Sequence, residues 1–556
     1  MRTARRFPLL ALAVILPLLG GQVEVARSQS GEGLQVTAKT ASSIALSWSN
    51  WTILASVQPS SFAVFRDGKQ HTTVAPSQRT YRDNSVGWGR TFAYFIRLVT
   101  TSGQTFDTNT AVVTTDAVPS GVNIVLVVTD DQRYDTLQYM PYVQQLLVQQ
   151  GITFGRAFAS TPQCCPSRAG ILTGLVSHHH GVLSNRDGAR AFDDTSTVAT
   201  WLQAAEYRTA LIGKYLNGYA DSNCQLYGQC FKNVTGVHPW PYVPPGWNDW
   251  HAFGRVGYYN YTLVENGSEV SYGSTEAEYS TTVLAAKAVD FIQTTAVGQP
   301  FFLYFAPYAP HGRGEPAKSD RGLYAGIAPW RPPSWNEADV SDKPAWVQAL
   351  PLLDEAAINE IDTLRRNQLE SLQAVDRAVK AIVDAVTATG RLESTVFIFT
   401  SDNGQSWGEH RWDAKMCPYE ECVRVPLVIR VPGVPARSEP HLMTLLDLAP
   451  SIASWAGVLH ASRMDGLSLA RLAAMPNTPW RNDLLIEMLG GEPGQDAMLY
   501  SAVRTKGNLY VEFLNGDREL YDLGADPYEL TNRADSPEKA HLLAALKARL
   551  AILRGQ

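Results

Sequence analysis

Two adjacent cysteines, Cys164 and Cys165, open the run Cys-Cys-Pro-Ser-Arg-Ala-Gly-Ile-Leu-Thr-Gly at 164–174. Adjacent cysteines bridge poorly to each other, so this pair asks for a chemical explanation. The other four cysteines are Cys224, Cys230, Cys417 and Cys422. Each close pair is near enough to close a small loop, with connectivity left open. Elsewhere, polar residues gather where apolar runs stop. The run 123–129 leads into Asp130-Asp131, and a run ending near Ile212 leads into Gly213-Lys214. The run 301–305 is followed, past Ala309-Pro310, by His311, and 395–400 by Ser401-Asp402-Asn403-Gly404. Carboxyl ends of strands are where open α/β sheets bind ligands. Asp130, Asp131, Asp402 and Asn403 form an oxygen-rich set for a hard cation, calcium before magnesium and either before zinc. Taken alone, Asp130-Asp131 reads as a helix cap and Asp402-Asn403-Gly404 as a turn. Their company with the 164–174 run makes them a candidate site.

The run 164–174 resembles the C-x-P-S-R and L-T-G signature of the sulfatase family, within the alkaline phosphatase superfamily. That resemblance implies oxidation of Cys164 to formylglycine by a maturation enzyme, a covalent change the sequence does not itself display. It implies a hydrated aldehyde, one hydroxyl of which attacks sulfur while the other later expels sulfate. It also implies calcium ligands at Asp130, Asp131, Asp402, Asn403 and the modified Cys164, with Arg168 holding the nucleophile near the metal. Lys214 and Lys415 would bind sulfate oxygens, and His311 would protonate the leaving oxygen. The segment 400–430 extends the likeness through Gly408-Glu409-His410, Tyr419-Glu420-Glu421 and Arg424-Val425-Pro426. Many family members read Gly-Lys-Trp-His at the first lysine, whereas this chain reads Gly213-Lys214-Tyr215-Leu216-Asn217. The proton-handling histidine is missing there. This version, the run Tyr258-Tyr259-Asn260-Tyr261-Thr262-Leu263 and His178-His179-His180 resemble the N-acetylglucosamine-6-sulfatase and heparan 6-O-endosulfatase branch. His178 and His180 either supply the missing proton acceptor, contact substrate, or belong to an exposed loop or a chance transition-metal site. Asn217 is a further substrate-contact candidate.

The elements that must position these residues change character along the chain. Alternating runs at 44–49, 62–68, 91–100 and 109–115, with turns at Asp67-Gly68 and Ser102-Gly103, predict a β-sandwich over 31–117. It resembles a fibronectin type III module, with Trp48 in its core and Tyr94 on a later strand. Beyond the linker at 116–121, apolar strands alternate with amphipathic segments, one of them a helix over 366–389, which predicts an α/β fold. The family resemblance makes this a mixed central sheet sandwiched by helices over 118–480, with an antiparallel C-terminal subdomain over 481–556.

Three arginines before an apolar run ending in small residues mark 1–30 as a secretory signal. Export to the extracellular space, the cell surface or the periplasm is expected, with no stable membrane insertion after cleavage. Lys+Arg 47 against Asp+Glu 53, spread along 556 residues, offers no basic block for nucleic acid. A hydrophobic content of 45% excludes a disordered chain. The leading expectation is a secreted calcium-dependent sulfatase acting on a sulfated small molecule or glycan, with 6-sulfated glucosamine as the branch's substrate. Two alternatives are a phosphate or phosphonate ester hydrolase of the same superfamily, and an inactive hydrolase domain in an adhesion protein.

Overall fold

Phe92, Tyr94, Ile96 and Leu98 are buried in alternation with more exposed neighbours, which makes Thr91–Thr100 a half-buried strand. The computed structural model describes residues 33–39, 44–83, 86, 91–115, 122–220, 230–458, 463–491 and 496–555. The expected signal segment 1–30, Cys224 and the side chain of Cys230 lie outside the described residues. The chain divides into two units, Met1–Asp116 and Ala117–Gln556.

The first unit is antiparallel β. Thr91–Thr100 pairs with Pro59–Arg66, Thr105–Asp107 and Ala111–Thr114, while Gln35–Lys39, Ile44–Ser47 and Thr80–Asp83 form a second sheet. Trp48, Phe62, Tyr94, Ile96 and Leu98 share its core. The Tyr94 hydroxyl donates to Asp83 across the sheets at 2.7 Å. Asp67 and Gly68 have φ of 51° and 77°, so the expected turn joins Pro59–Arg66 to Lys69–Val74. Four strands went unexpected: Gln35–Lys39, Lys69–Val74, Thr80–Asp83 and Thr105–Asp107. They are short and largely polar, so their pairing supplies what apolar alternation does not.

The second unit is built on a mixed sheet. Its strands are β1 (Asn123–Thr129), β2 (Ile152–Phe154), β3 (Arg208–Gly213), β4 (Asp249–Phe253), β5 (Thr262–Glu265), β6 (Ser268–Ser271), β7 (Phe301–Ala306), β8 (Thr395–Ser401), β9 (Leu427–Arg430) and β10 (Arg437–Glu439). Among the described residues the order is β6-β5-β4-β3-β7-β1-β8-β9-β2-β10. The run β4-β3-β7-β1-β8 is parallel. Every residue of β1, β7 and β8 is buried, as a parallel sheet covered on both faces requires.

Four helices matter here: α1 (Cys164–Thr173), α2 (Ser280–Thr294), α3 (Glu355–Ala388) and α4 (Leu448–Ala456). On one face Val125, Val127, Leu303 and Phe399 meet α2 and α3. On the other, α1 packs on α4, which also contacts β1. The expected helix over 366–389 begins eleven residues earlier, because Asp354 caps it by accepting from the Ala357 amide at 2.9 Å. The first turns, 355–365, bury little apolar surface beyond Ile361 and so lack the periodic signal. A second, antiparallel sheet, β11 (Asp483–Met488), β12 (Tyr500–Thr505), β13 (Asn508–Phe513) and β14 (Arg518–Asp522), follows near the carboxyl end. One of its faces carries helix α5 (Ala540–Leu553), and the other packs on the segment containing Cys417, Tyr419 and Cys422. Cys417 and Cys422 form a disulfide, while Cys164 and Cys165 are free and buried.

Candidate active site

Because β3, β7, β1 and β8 are neighbours running the same way, whatever follows each one arrives at one edge. Thr129 and Ser401 are in register, which sets Asp130-Asp131 beside Asp402-Asn403. The Asp131 and Asn403 amides both donate to Asp402 Oδ1, at 3.1 and 2.8 Å. The Asn403 side-chain amide donates to Asp131 Oδ1 at 2.7 Å. Asp131 holds a left-handed φ of 63°, a costly conformation that the surrounding bonds enforce. Gly213 has φ of 121°, and a Cβ there would stand 1.9 Å from the Ala306 carbonyl oxygen. Only glycine lets β3 come so close to β7 and deliver Lys214, whose amide donates to Ala306 at 2.7 Å.

Cys164 is the first residue of α1, and Arg168, four residues on, shares its face. This explains the spacing of the two in the sequence. The Arg168 guanidinium donates from Nε to Asp402 Oδ2 at 2.8 Å and from Nη1 to the Lys214 carbonyl at 3.0 Å, with Nη2 3.9 Å from Asp130 Oδ1. Arg168 thus joins three strand ends and fixes the carboxylates, in addition to its expected place beside the nucleophile. Ser167, one residue earlier, donates to the Asp402 carbonyl at 2.5 Å.

Around the Cys164 sulfur stand Lys415 Nζ at 2.8 Å, Asp130 Oδ1 at 3.4 Å and Asp131 Oδ1 at 3.8 Å. Lys214 Nζ donates to Asp130 Oδ2 at 2.5 Å and Lys415 Nζ to Asp131 Oδ1 at 2.8 Å. His311 Nε2 lies 3.5 Å from Asp131 Oδ2 and 3.4 Å from Lys415 Nζ. Burial would raise the Asp130 carboxyl, but Lys214, His311 and Arg168 outweigh it and hold it well below the usual carboxylate range. Asp131 is lowered in the same way, against burial, chiefly by Lys415 and His311. Burial lowers His311, opposed by Asp130 and Asp131. The Cys164 thiol is pushed far up by burial, with the two lysines opposing. A thiol so disfavoured as thiolate is a poor nucleophile.

The remaining candidates stand apart. His178 Nδ1 pairs with Glu487 on β11 at 2.9 Å, and His180 Nδ1 accepts from the Val182 amide at 3.1 Å. Burial lowers His180 to about 4. Among the described contacts, neither ring meets Cys164. Asn217 has a buried side-chain oxygen without a partner, and its carbonyl accepts from the Ala189 amide at 2.7 Å. Tyr308, unmarked in the sequence, stacks on His311 with ring centroids 4.7 Å apart and lies 5.9 Å from Lys214 Nζ. Tyr258 donates to the His311 carbonyl at 2.9 Å. Tyr308 sits three residues before His311 in the same post-strand loop, the one signal that would have found it. A groove of about 500 Å³ beside His311 is lined by Gly312, Arg313, Asn367, Gln405 and Asp413.

The donor set fits a hard divalent cation. Asp130 and Asp131 converge with Cys164, Asp402 is bonded to both Asp131 and Asn403, and the buried Asn403 Oδ1 has no hydrogen-bond partner.

The family model described as Sulfatase matches residues 122–458. A second, N-sulphoglucosamine sulphohydrolase, C-terminal, matches 408–556. A putative extracellular sulfatase Sulf-1 homolog of Caenorhabditis elegans is 33% identical over 66% of this chain and 53% of its own length. The chain thus spans about half of that relative, and 36% of the Drosophila melanogaster extracellular sulfatase SULF-1 homolog. Human N-acetylglucosamine-6-sulfatase is 30% identical over 78% of this chain and 84% of its own length. Among solved structures, BT4656 in complex with its substrate D-glucosamine-2-N,6-O-disulfate superposes with a TM-score of 0.65 at 23% identity, covering 78% of this chain and 98% of that one. The phosphonate monoester hydrolase of Agrobacterium radiobacter gives 0.64 at 21%, covering 78% and 96%.

Proposed function

We propose that this chain, which belongs to the sulfatase family, hydrolyses sulfate monoesters at the centre around Cys164. The observation that carries this reading is the convergence of Lys415, Asp130 and Asp131 on the Cys164 sulfur, with Lys214 and His311 bonded into the same cluster. Cys164 is read as the precursor of formylglycine, made by a maturation enzyme. Asp130, Asp131, Asp402, Asn403 and the matured side chain would hold a calcium ion. When bound, the cation supplies positive charge to a sulfate oxygen and to the nucleophilic hydroxyl.

The chain's own residues do the rest. Lys214 and Lys415 neutralise the sulfuryl oxygens as negative charge shifts onto them and the leaving group. Arg168 keeps Asp402 and the Lys214 backbone in one frame. His311, stacked on Tyr308 and held through its carbonyl by Tyr258, presents Nε2 beside Lys415 and donates a proton to the departing alcohol oxygen. The groove beside His311 is where the alcohol portion of the ester would lie. The name of the human relative, an N-acetylglucosamine-6-sulfatase, supports a 6-sulfated glucosamine or related glycan as the substrate. His178, His180 and Asn217 would serve at the edge of that substrate. Residues 1–30 are read as an export signal and 31–117 as a fibronectin type III-like module. The catalytic domain is taken as 118–480 and its C-terminal subdomain as 481–556.

A second reading, phosphate or phosphonate ester hydrolysis, is favoured by the lysine and carboxylate cradle itself, since it suits a PO3 group as well as an SO3 group. Relative kcat/KM on p-nitrophenyl sulfate and p-nitrophenyl phosphate, with and without EGTA, separates the two. Sulfatase function requires a sulfate preference that EGTA abolishes and calcium restores. A phosphate preference moves the second reading to the front.

A further inference from the structure

A second group of side chains converges away from the nucleophile. His410, Glu421 and Glu529 each bring one ligand atom to within 4.8 Å of the others, and His410 Nε2, Glu421 Oε1 and Glu529 Oε1 are their unpartnered atoms. All three atoms are buried and none has a hydrogen-bond partner. The residues are 0%, 7% and 1% exposed, so water does not serve them from outside. Polar atoms buried without partners are destabilising, and three turned on one point need a common partner. His410 Nε2 and Glu421 Oε1 are 3.8 Å apart, too far for a hydrogen bond. Two donors each about 2.1 Å from a shared tetrahedral ion stand about 3.4 Å apart, a few tenths of an ångström inside that separation.

The surroundings aim these atoms inward. His410 Nδ1 lies 2.7 Å from Glu337 Oε2; with Glu337 ionised, this bond places the proton on Nδ1 and leaves Nε2 its lone pair. A carboxylate behind an imidazole in this way is the usual support of a metal-binding histidine. The Tyr419 ring packs on the imidazole at 4.1 Å between centroids. His410 and Arg411 both adopt left-handed φ, 53° and 62°, and Arg411 is pinned by bonds to the carbonyls of Glu337, Ala338 and Leu350. Glu529 Oε2 accepts from the Glu420 amide at 3.1 Å, leaving Oε1 turned into the cluster. Lys343 donates to the Glu529 backbone carbonyl and to Tyr521, and approaches Glu337 at 3.9 Å. Among the described contacts it meets neither the Glu421 nor the Glu529 carboxylate.

We propose that His410, Glu421 and Glu529 bind a structural divalent transition-metal ion, of the Zn2+ or Mn2+ class, in a site separate from the Cys164 centre. One imidazole and two carboxylates select that class over calcium, and the two carboxylates balance its charge. The ion joins the segment that carries Lys415 to the turn after β14, so it fastens the C-terminal sheet to the edge of the active site.

The test uses the full chain, incubated with Zn2+ or Mn2+ and freed of excess ion. Metal content is measured by mass spectrometry, and crystals are examined for anomalous scattering at each metal's absorption edge. The expected result is one equivalent of Zn2+ or Mn2+ per chain, with an anomalous peak among the three side chains. Folded Glu529→Gln should lose that peak while a calcium equivalent at the Cys164 centre stays. No peak among the three side chains of the unsubstituted protein overturns the proposal, because a water or a shared proton then satisfies them. Unchanged occupancy in folded Glu529→Gln overturns it too.

Discussion

At the scale of single residues, the account assigns unlike work to groups that touch. His311 is about a quarter exposed, at 26%, and beside two carboxylates, yet burial lowers its proton affinity on balance. A proton donor must be charged before it acts, and the charged form is lost as pH rises through its pKa. The alkaline limb of kcat for an alkyl sulfate should therefore lie below the ordinary histidine value of about 6.5. His311→Ala should slow alkyl sulfates by about 10²–10⁴-fold and p-nitrophenyl sulfate far less, since nitrophenolate leaves without a proton. Equal loss on both substrates would remove His311 from the donor role. The carboxylates, lysines and Cys164 were legible as separate clues because each follows an apolar run or sits in a dense motif. Tyr308 was not, since a tyrosine in a loop carries no mark of what it stacks upon.

At the scale of elements, the site depends on neighbouring parallel strands more than on any one loop. Gly213 is the sharpest case, with φ of 121° and no room for a Cβ against the Ala306 carbonyl. Gly213→Ala should destabilise the second unit by about 2–4 kcal/mol and displace Lys214, read as a lower melting temperature together with a raised KM. A variant of native stability and native KM would contradict the close approach. Strands β1, β7 and β8 were readable because full burial writes them as continuous apolar runs. The strand order β3-β7-β1-β8 was not, since each run is compatible with any neighbour. The start of α3 was hidden for a different reason: residues 355–365 bury little apolar surface beyond Ile361 and are fixed by the Asp354 cap rather than by an apolar stripe. In the first unit, Trp48 and the Asp67-Gly68 turn were visible, whereas the polar strand Lys69–Val74 follows from the hairpin and not from its own composition.

At the scale of the whole molecule, two units carry separate cores, one around Trp48 and Tyr94 and the others in 117–556. All the candidate catalytic residues belong to the second unit. A chain beginning at Ala117 should keep kcat/KM on p-nitrophenyl sulfate within about twofold, as expected for a domain with its own core. A large loss would give the first unit a part in catalysis that its composition does not suggest. The most direct test of the central claim is peptide mass spectrometry across Cys164, on protein made in a host that forms formylglycine, paired with sulfate release. The account predicts that Cys164 exchanges one sulfur and two hydrogens for one oxygen, and that Cys164→Ala releases no sulfate. An unmodified Cys164 that still supports sulfate release, or a matured one that releases none from any sulfate ester, would contradict it.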